Sequence, residues 1–153
     1  LLLDLSAAFD TIDHQVLLDR CENYFGITGV ALAWLKSYMT DRTQHVQIGE
    51  AVSEPRRLNC GVPQGSVLGP LLFILYTTPL GQLLREENIS FHMYADDTQV
   101  YAISTLDNID ESKMRIERAT MKIQEWVANN LLKLNPNSEE DRVFGHPEPA
   151  PSE

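Results

Sequence analysis

Apolar and polar residues alternate on both sides of a short acidic tip, Asp96-Asp97, in the second half of the chain. The alternating residues are Phe91, Met93 and Ala95 before the tip, and Val100 and Tyr101 after it. Side chains two apart share one face of a strand, so each run predicts a half-buried strand. Two β-prone runs joined by two residues predict a tight hairpin over residues 89–103.

The spacing of apolar residues predicts further elements before this hairpin. They are a buried strand over residues 1–9, helices over 10–25, 28–39 and 66–86, and paired strands over 44–48 and 52–58. Asp10-Thr11-Ile12-Asp13 has the character of a capped helix start, and Gly26 is suited to ending that helix. Ser66 is expected to cap the third helix, in which Pro79 predicts a kink or a break.

A long helix over residues 107–131 and a short edge segment at 133–135 are predicted after the hairpin. The side chains expected in the core are Val16, Leu17, Cys21, Leu32, Trp34, Leu35, Ile109, Ile116, Ile123, Trp126 and Val127. Those expected as cap, surface or solvated edge groups are Asp10, Asp13, His14, Arg56 and Arg57. The order of helices and strands predicts an α+β fold, with an antiparallel sheet and helices on one face.

Composition is compatible with this picture and narrows the function. The chain has 153 residues, suited to one domain, and its 43% hydrophobic content predicts a folded chain. Its formal charge of −10 argues against a free-standing nucleic-acid binder. The longest apolar run, residues 67–76, is too short to cross a bilayer. Because the chain opens with Leu1 inside a predicted strand, we expect it to be a fragment of a longer protein.

Cys21 and Cys60 lie far apart and lack the spacing of metal ligands. Isolated thiols of this kind are typical of a reducing, intracellular compartment, and both are expected to pack in the core.

The acidic tip itself suggests chemistry. Two adjacent carboxylates at a turn repel each other unless a cation lies between them. Hard divalent cations such as Mg²⁺ prefer oxygen ligands. Asp96-Asp97 is therefore a candidate metal site, and a solvated acidic turn is the alternative.

Three sequence motifs, in a fixed order, favour the metal site over the solvated turn. Asp4 lies in LLLDLSAAFD, residues 61–65 read GVPQG, and residues 94–97 read YADD. In this order they resemble motifs A, B and C of reverse transcriptases. The wider phrasing, DLSAAFDTIDH and GVPQGSVLGPLLF, is similar to that of a non-long-terminal-repeat (LINE-type) retrotransposon. The resemblance covers residues 1–137.

The resemblance implies a polymerase palm, in which the motif A strand lies beside the motif C hairpin. Residues 1–137 would form a partial palm without fingers or thumb, and the acidic, Pro-rich residues 138–153 are expected to be disordered. The implied activity is RNA-directed DNA polymerisation with two Mg²⁺ or Mn²⁺ ions. The implied partners are an RNA template, a DNA primer, deoxynucleoside triphosphates and the rest of a retrotransposon polyprotein, in the nucleus or cytoplasm, with no membrane.

The resemblance also implies roles for individual residues. Asp4, Asp96 and Asp97 would be the catalytic metal ligands, clustered in the folded chain. The nucleotide side would be formed by Leu5, through its carbonyl, with Phe9, Gln64 and Gly65, and the primer side by Tyr94 and Ala95. Phe9 would exclude a ribose 2′-hydroxyl; a core Phe and a core Tyr are the alternatives for Phe9 and Tyr94.

One departure from the family pattern leaves other functions open. Ser138 lies where the family has a lysine, its candidate proton donor to pyrophosphate. A palm remnant without turnover, acting at most as a metal-binding or interaction module, is therefore the alternative function. A group II intron maturase or a telomerase-type polymerase is a weaker alternative.

Overall fold

The computed structural model describes residues 1–135, so the predicted disordered tail and Ser138 lie outside the described residues. Its strands are β1 (Leu2–Leu3), β2 (Thr43–Gln44), β3 (Gln47–Ile48), β4 (Ala51–Val52), β5 (Arg56–Arg57), β6 (Ser90–Tyr94) and β7 (Asp97–Tyr101). Its helices are α1 (His14–Asn23), α2 (Gly29–Met39), α3 (Gly69–Glu86) and α4 (Ile109–Asn129), with a 3₁₀ turn at Leu106–Asn108.

The main sheet has the order β1-β7-β6, and both pairings are antiparallel. On β7, Thr98 and Val100 are buried, whereas Asp97 and Gln99 are exposed. Helix α3 packs against β6, and α4 packs against α3. The predicted α+β class with antiparallel sheets is therefore confirmed.

The hairpin tip lies one residue earlier than the sequence predicted. Tyr94 pairs with Asp97, so the turn consists of Ala95 and Asp96, and Asp97 is the first residue of β7. The register is fixed because Val100 must be buried, and a shift by one residue would turn every side chain of β7 to the other face. Ala95, with φ of 51°, takes the left-handed position of the turn.

The first strand is shorter than predicted, and the first helix begins later. Beyond β1, the chain bends so that Asp10 N donates to Ala7 O at 2.9 Å. Ala7 has a positive φ of 50°, which does not belong to a continuing strand. Asp13 is the N-cap of α1, and its carboxylate accepts from Val16 N at 2.9 Å. Its predicted role as a cap is confirmed.

Helix α3 forms the centre of the core. Its buried side includes Leu72, Phe73, Tyr76, Leu80 and Leu84. Ser66 supports its start, because Ser66 Oγ accepts from Gly69 N at 3.0 Å. The helix continues through Pro79, so of the predicted kink or break the break is wrong.

Helix α2 packs against α1 and buries only part of its surface. Leu32 and Leu35 are partly buried, as expected of core-facing positions. Trp34, which was expected in the core, is 54% exposed and stacks on Tyr38 with ring centroids 5.5 Å apart. One neighbouring helix covers one face of α2, and Trp34 lies outside that face.

Strands β2 to β5 form an outlying hairpin made of two short ladders, β2 with β5 and β3 with β4. The predicted pairing of residues 44–48 with 52–58 is confirmed. All four strands are exposed on both sides, including Arg56 and Arg57. Arg57 lies 3.8 Å from the carboxylate of Asp41, at the surface.

A partly buried arginine joins three helices. Arg20 of α1 donates to the carbonyl oxygen of Tyr76 on α3 and to Asn130 Oδ1 at the end of α4. Its guanidinium lies 4.6 Å from the ring centroid of Tyr76 and 5.3 Å from that of Trp126. Burial lowers the pKa of Arg20 and raises the pKa of Tyr76. We call Arg20, Tyr76, Trp126 and Asn130 the arginine cluster.

The two cysteines differ in burial. Cys21 is buried, and burial raises the pKa of its thiol. Cys60 is exposed, so its predicted place in the core is wrong, because it lies in the loop before α3. Within residues 1–135, no helix combines the length and the apolar composition needed to span a membrane.

Candidate functional site

Two of the predicted catalytic carboxylates meet on the outer face of the main sheet. Leu3 pairs with Thr98 in an antiparallel ladder, so Asp4 comes beside Asp97 where β1 ends and β7 begins. Both aspartates line one cavity of about 370 Å³. The cavity wall also includes Leu2, His92, Tyr94 and Gln99. The sheet register thus joins carboxylates that are more than ninety residues apart in sequence.

The third carboxylate, Asp96, lies in the adjoining turn, is partly buried and does not line this cavity. Across residues 1–135, no group of three or more His, Cys, Asp or Glu side chains is arranged to hold a metal ion. The structure therefore brings Asp4 and Asp97 together, with Asp96 next in the chain. A metal ion bound here would need further ligands besides these three aspartates.

Asp4 is held by the segment that follows α4. Asn135 Nδ2 donates to Asp4 Oδ2 at 3.0 Å, and Asn135 N donates to Asp4 O at 2.9 Å. Next to this contact, Leu5 forms an isolated antiparallel bridge with Leu134. The predicted edge segment at 133–135 is confirmed by this pairing.

The loop carrying GVPQG is tied to the turn that follows β1. Gly61 N donates to Ile12 O at 2.7 Å, and Val62 N donates to Phe9 O at 2.9 Å. A Cβ atom on Gly61 would lie 3.0 Å from the carbonyl oxygen of Asp10, and Gly61 has φ of +83°. Only glycine meets both demands without strain, so this residue permits the close approach of the two segments.

His14 strengthens the same junction. Its Nε2 donates to the carbonyl oxygen of Gly61 at 2.8 Å, and the residue is 8% exposed. Its predicted place on the surface is wrong, because the loop after Cys60 folds over the start of α1. Asp10 is exposed, as predicted.

Gln64 and Gly65 lie at the open end of this loop. Gln64 Nε2 donates to Asp10 Oδ1 at 3.1 Å, on the exposed surface. Gly65 has φ of +75° and no atom within 4 Å of the place a Cβ would take. The amide of Gln64 is therefore oriented by Asp10, beside a stretch of backbone that a ligand could approach closely.

Phe9 and Leu5 lie deeper than Gln64. The ring of Phe9 stacks on Phe73 of α3, with centroids 4.9 Å apart and an angle of 25° between the planes. Phe9 remains partly exposed, whereas Leu5 is only 7% exposed. Phe9 therefore presents a flat apolar surface with firm support beneath it.

Tyr94 and Ala95, predicted on the primer side, lie at the hairpin tip. Tyr94 is 82% exposed, so the alternative of a core tyrosine is wrong. Side chains alternate along β6, and Tyr94 points to the face that carries Asp97 rather than to the helices.

Comparison with protein families shows which family the chain belongs to. The family model described as reverse transcriptase (RNA-dependent DNA polymerase) matches residues 1–137. The chain belongs to the reverse transcriptase family. The match covers the segments that carry Asp4, Gly61 and Asp97.

Relatives of this reverse transcriptase domain come from mobile elements. It is 31% identical over 139 residues to a probable RNA-directed DNA polymerase from transposon BS of Drosophila melanogaster, covering 88% of the chain and 15% of the relative. It is 39% identical over 155 residues to a probable RNA-directed DNA polymerase from transposon X-element of the same species, covering 94% of the chain and 16% of the relative. A Pol polyprotein from type-1 retrotransposable element R2 of Popillia japonica is 32% identical over 85 residues, covering 56% and 14%.

The resemblance to a non-long-terminal-repeat retrotransposon is thereby confirmed. The reverse transcriptase domain spans roughly one sixth of the length of the relatives it matches.

Sequence reasoning missed three contacts of this reverse transcriptase domain. They are the bond from His14 to the Gly61 loop, the bond from Asn135 to Asp4, and the arginine cluster. A histidine just after a helix cap gives no sign of its burial. For Asn135, the sequence predicted an edge segment at 133–135 but not that it would lie beside Asp4.

Proposed function

We propose that this reverse transcriptase domain is the palm of an RNA-directed DNA polymerase of a retrotransposon, and that it joins deoxynucleotides to a primer by two-metal nucleotidyl transfer. The observation that carries the proposal is the meeting of Asp4 and Asp97 on one cavity of the outer sheet face. Family membership and the relatives from mobile elements support it.

The donor set suits two Mg²⁺ or Mn²⁺ ions. Carboxylate oxygens are the ligands these hard cations prefer, and Asp4, Asp97 and the adjoining Asp96 would hold them. In polymerase sites Mg²⁺ takes few protein carboxylates and completes its shell with water and substrate phosphate. A group short of three converging protein ligands is compatible with that chemistry. When bound, such ions stabilise the attacking and leaving oxygens of an in-line displacement.

The remaining residues position the nucleotide. Phe9, supported by Phe73, offers a flat apolar wall to the sugar and no hydrogen-bond partner for a 2′-hydroxyl. A hydroxyl that loses its water there without gaining a partner is disfavoured. Gln64, oriented by Asp10, would contact the incoming nucleotide or the template sugar, next to the open backbone of Gly65 and the carbonyl of Leu5. Tyr94 and Ala95 would face the primer.

The substrates in this proposal are an RNA template, a DNA primer and deoxynucleoside triphosphates, handled in the nucleus or cytoplasm. The formal charge of −10 argues against this chain alone supplying the basic contacts that phosphates need. Other parts of the polyprotein would supply them, because the relatives are far longer than this chain.

A second candidate function, a palm remnant without turnover that binds metal at most, has one observation in its favour. No three acidic, His or Cys side chains within residues 1–135 form a ready metal site. The two candidate functions predict different primer extension by a complete polymerase. For the isolated chain both predict the same result, weak Mn²⁺ binding and no primer extension.

The test measures Mn²⁺ binding to the 153-residue chain and primer extension by the same palm with fingers and thumb supplied. Asp4→Asn and Asp97→Asn should each abolish both, whereas Asp107→Asn, an exposed aspartate on the 3₁₀ turn, should change neither. Template-dependent extension that survives Asp97→Asn would refute the proposed mechanism. Metal binding without any extension by the completed polymerase would favour the remnant.

A further inference from the structure

The contact between Asn135 and Asp4 joins two ends of the described chain. Asn135 Nδ2 donates to Asp4 Oδ2 at 3.0 Å across 131 positions of sequence, in a partly buried setting. The backbone of the same residue donates from N to Asp4 O at 2.9 Å. Asn135 is thus fixed to Asp4 twice, once by its main chain and once by its amide.

The segment that carries Asn135 is itself anchored. Ser6 N donates to Lys133 O at 2.7 Å, and Leu5 bridges to Leu134. Leu132, at the start of the segment, is 6% exposed and belongs to the core. Residues 133–135 therefore run antiparallel beside residues 4–6, and this pairing brings the Asn135 side chain to the Asp4 carboxylate.

We propose that Asn135 is a positioning residue that orients the Asp4 carboxylate for divalent cation binding, an inference that rests on the proposed function. A carboxylate on a free side chain samples several rotamers, and binding must overcome that freedom. An amide donor on one oxygen restricts the rotation of the carboxylate without neutralising its charge. A lysine or arginine in the same place would compete with the cation for that charge.

Outer partners of metal-binding carboxylates and imidazoles act in this way elsewhere, and their loss typically lowers metal affinity or activity by about 10- to 100-fold. Asn135→Ala removes the amide donor and keeps the backbone bond to Asp4 O. We therefore expect the pairing of residues 133–135 with residues 4–6 to persist and the Asp4 carboxylate to rotate more freely than in the native chain.

The experiment uses the whole 153-residue chain and Mn²⁺ alone. Titration followed by electron paramagnetic resonance should show affinity about tenfold weaker for Asn135→Ala. The matched control is Asn129→Ala, which removes an exposed amide at the end of α4 and should leave affinity unchanged. Three-bond Hα–Hβ couplings of Asp4 report its χ1 directly; one rotamer is expected in the native chain and averaging in Asn135→Ala.

The outcomes separate this inference from the proposed function. If Asp4→Asn leaves Mn²⁺ binding intact, the proposed metal site is wrong. If Asp4→Asn abolishes binding while Asn135→Ala binds like the native chain with unchanged Asp4 couplings, the positioning role alone is wrong.

A second variant guards against a failure to fold. If Asn135→Ala loses its cooperative unfolding transition, Asn135→Ser is measured instead, because its shorter side chain stays polar but cannot reach Asp4 Oδ2. The same weaker binding and averaged couplings are expected, and native values would overturn the inference.

Discussion

The two antiparallel hairpins of this domain differ in what lies behind them. The hairpin of β6 and β7 places Thr98 and Val100 against helices, and Asp97 on its outer face. The outlying hairpin of β2 to β5 has no buried residue in any of its strands. A ladder with one face packed resists a shift of register, whereas a ladder exposed on both faces does not. Asp96 and Asp97 belong to the hairpin with one packed face, which can hold a side chain in place.

The largest effect is expected from the helix layer behind the sheet. Phe73→Ala removes a ring that is 1% exposed and supports Phe9, so the free energy of unfolding should fall by about 3–5 kcal/mol. Ile74→Ala, on the same helix but 55% exposed, should change it by about 0.5 kcal/mol or less. Urea unfolding measures both, and similar losses would show that the two sides of α3 do not differ.

A smaller effect compares the two hairpins directly. Val100→Ala deletes two methyl groups from a fully buried position, at about 0.8 kcal/mol each plus a cavity term, so a loss of roughly 2 kcal/mol is expected. Val52→Ala, 58% exposed on the outlying hairpin, should cost about 0.5 kcal/mol or less. An equal cost in urea unfolding would mean that the outlying hairpin is packed in solution.

Tyr76→Phe tests one bond of the arginine cluster. Tyr76 Oη donates to Asn130 O at 2.6 Å, and losing this bond should cost about 1 kcal/mol at neutral pH. Burial raises the pKa of Tyr76 above its ordinary value of 10.0, so only the unfolded chain releases this proton as the pH first passes that value. The free energy of unfolding of the native chain therefore falls, whereas that of the Phe variant has no such tyrosine contribution to lose. The difference in free energy of unfolding between the two chains should narrow above about pH 10. A gap independent of pH in urea unfolding would contradict the buried hydroxyl.

The smallest free energies of local opening are expected for the outlying hairpin itself. Its amides should exchange with deuterium at nearly the rate of an unstructured chain, because short exposed ladders open at little cost. The amides of β6 and β7 should be protected to a degree that approaches global unfolding. Strong protection at β3 and β4 would remove the difference between the hairpins.

Local patterns predicted the parts of the fold that rest on local physics. The alternation around residues 91–101 was enough to predict the hairpin, and the apolar run after Ser66 to predict α3, because burial enforces the period of a strand or helix. The tip was misplaced by one residue because Ala95 adopts a left-handed conformation that a propensity scale disfavours for alanine.

The parts that escaped prediction depend on neighbours distant in sequence. Trp34 has the character of a core residue, yet its exposure depends on how many elements cover α2. His14 is buried by a loop almost fifty residues later, and Arg20 finds its partners on α3 and α4. In the candidate site, the motifs named Asp4 and Asp97, but no pattern predicted that Asn135 would reach Asp4.

The separation between Asp4 and Asn135 has a consequence for the order of folding. Helices and the β6–β7 hairpin close short loops and can form within microseconds, whereas β1 must find β7 across almost a hundred residues. During synthesis at ~5–20 residues per second, Asp4 leaves the ribosome on the order of ten seconds before Asn135 exists. The carboxylate is thus made well before the residue that holds it. A chain that ended a few residues before Asn135 would contain all four helices and still lack the bond that fixes Asp4.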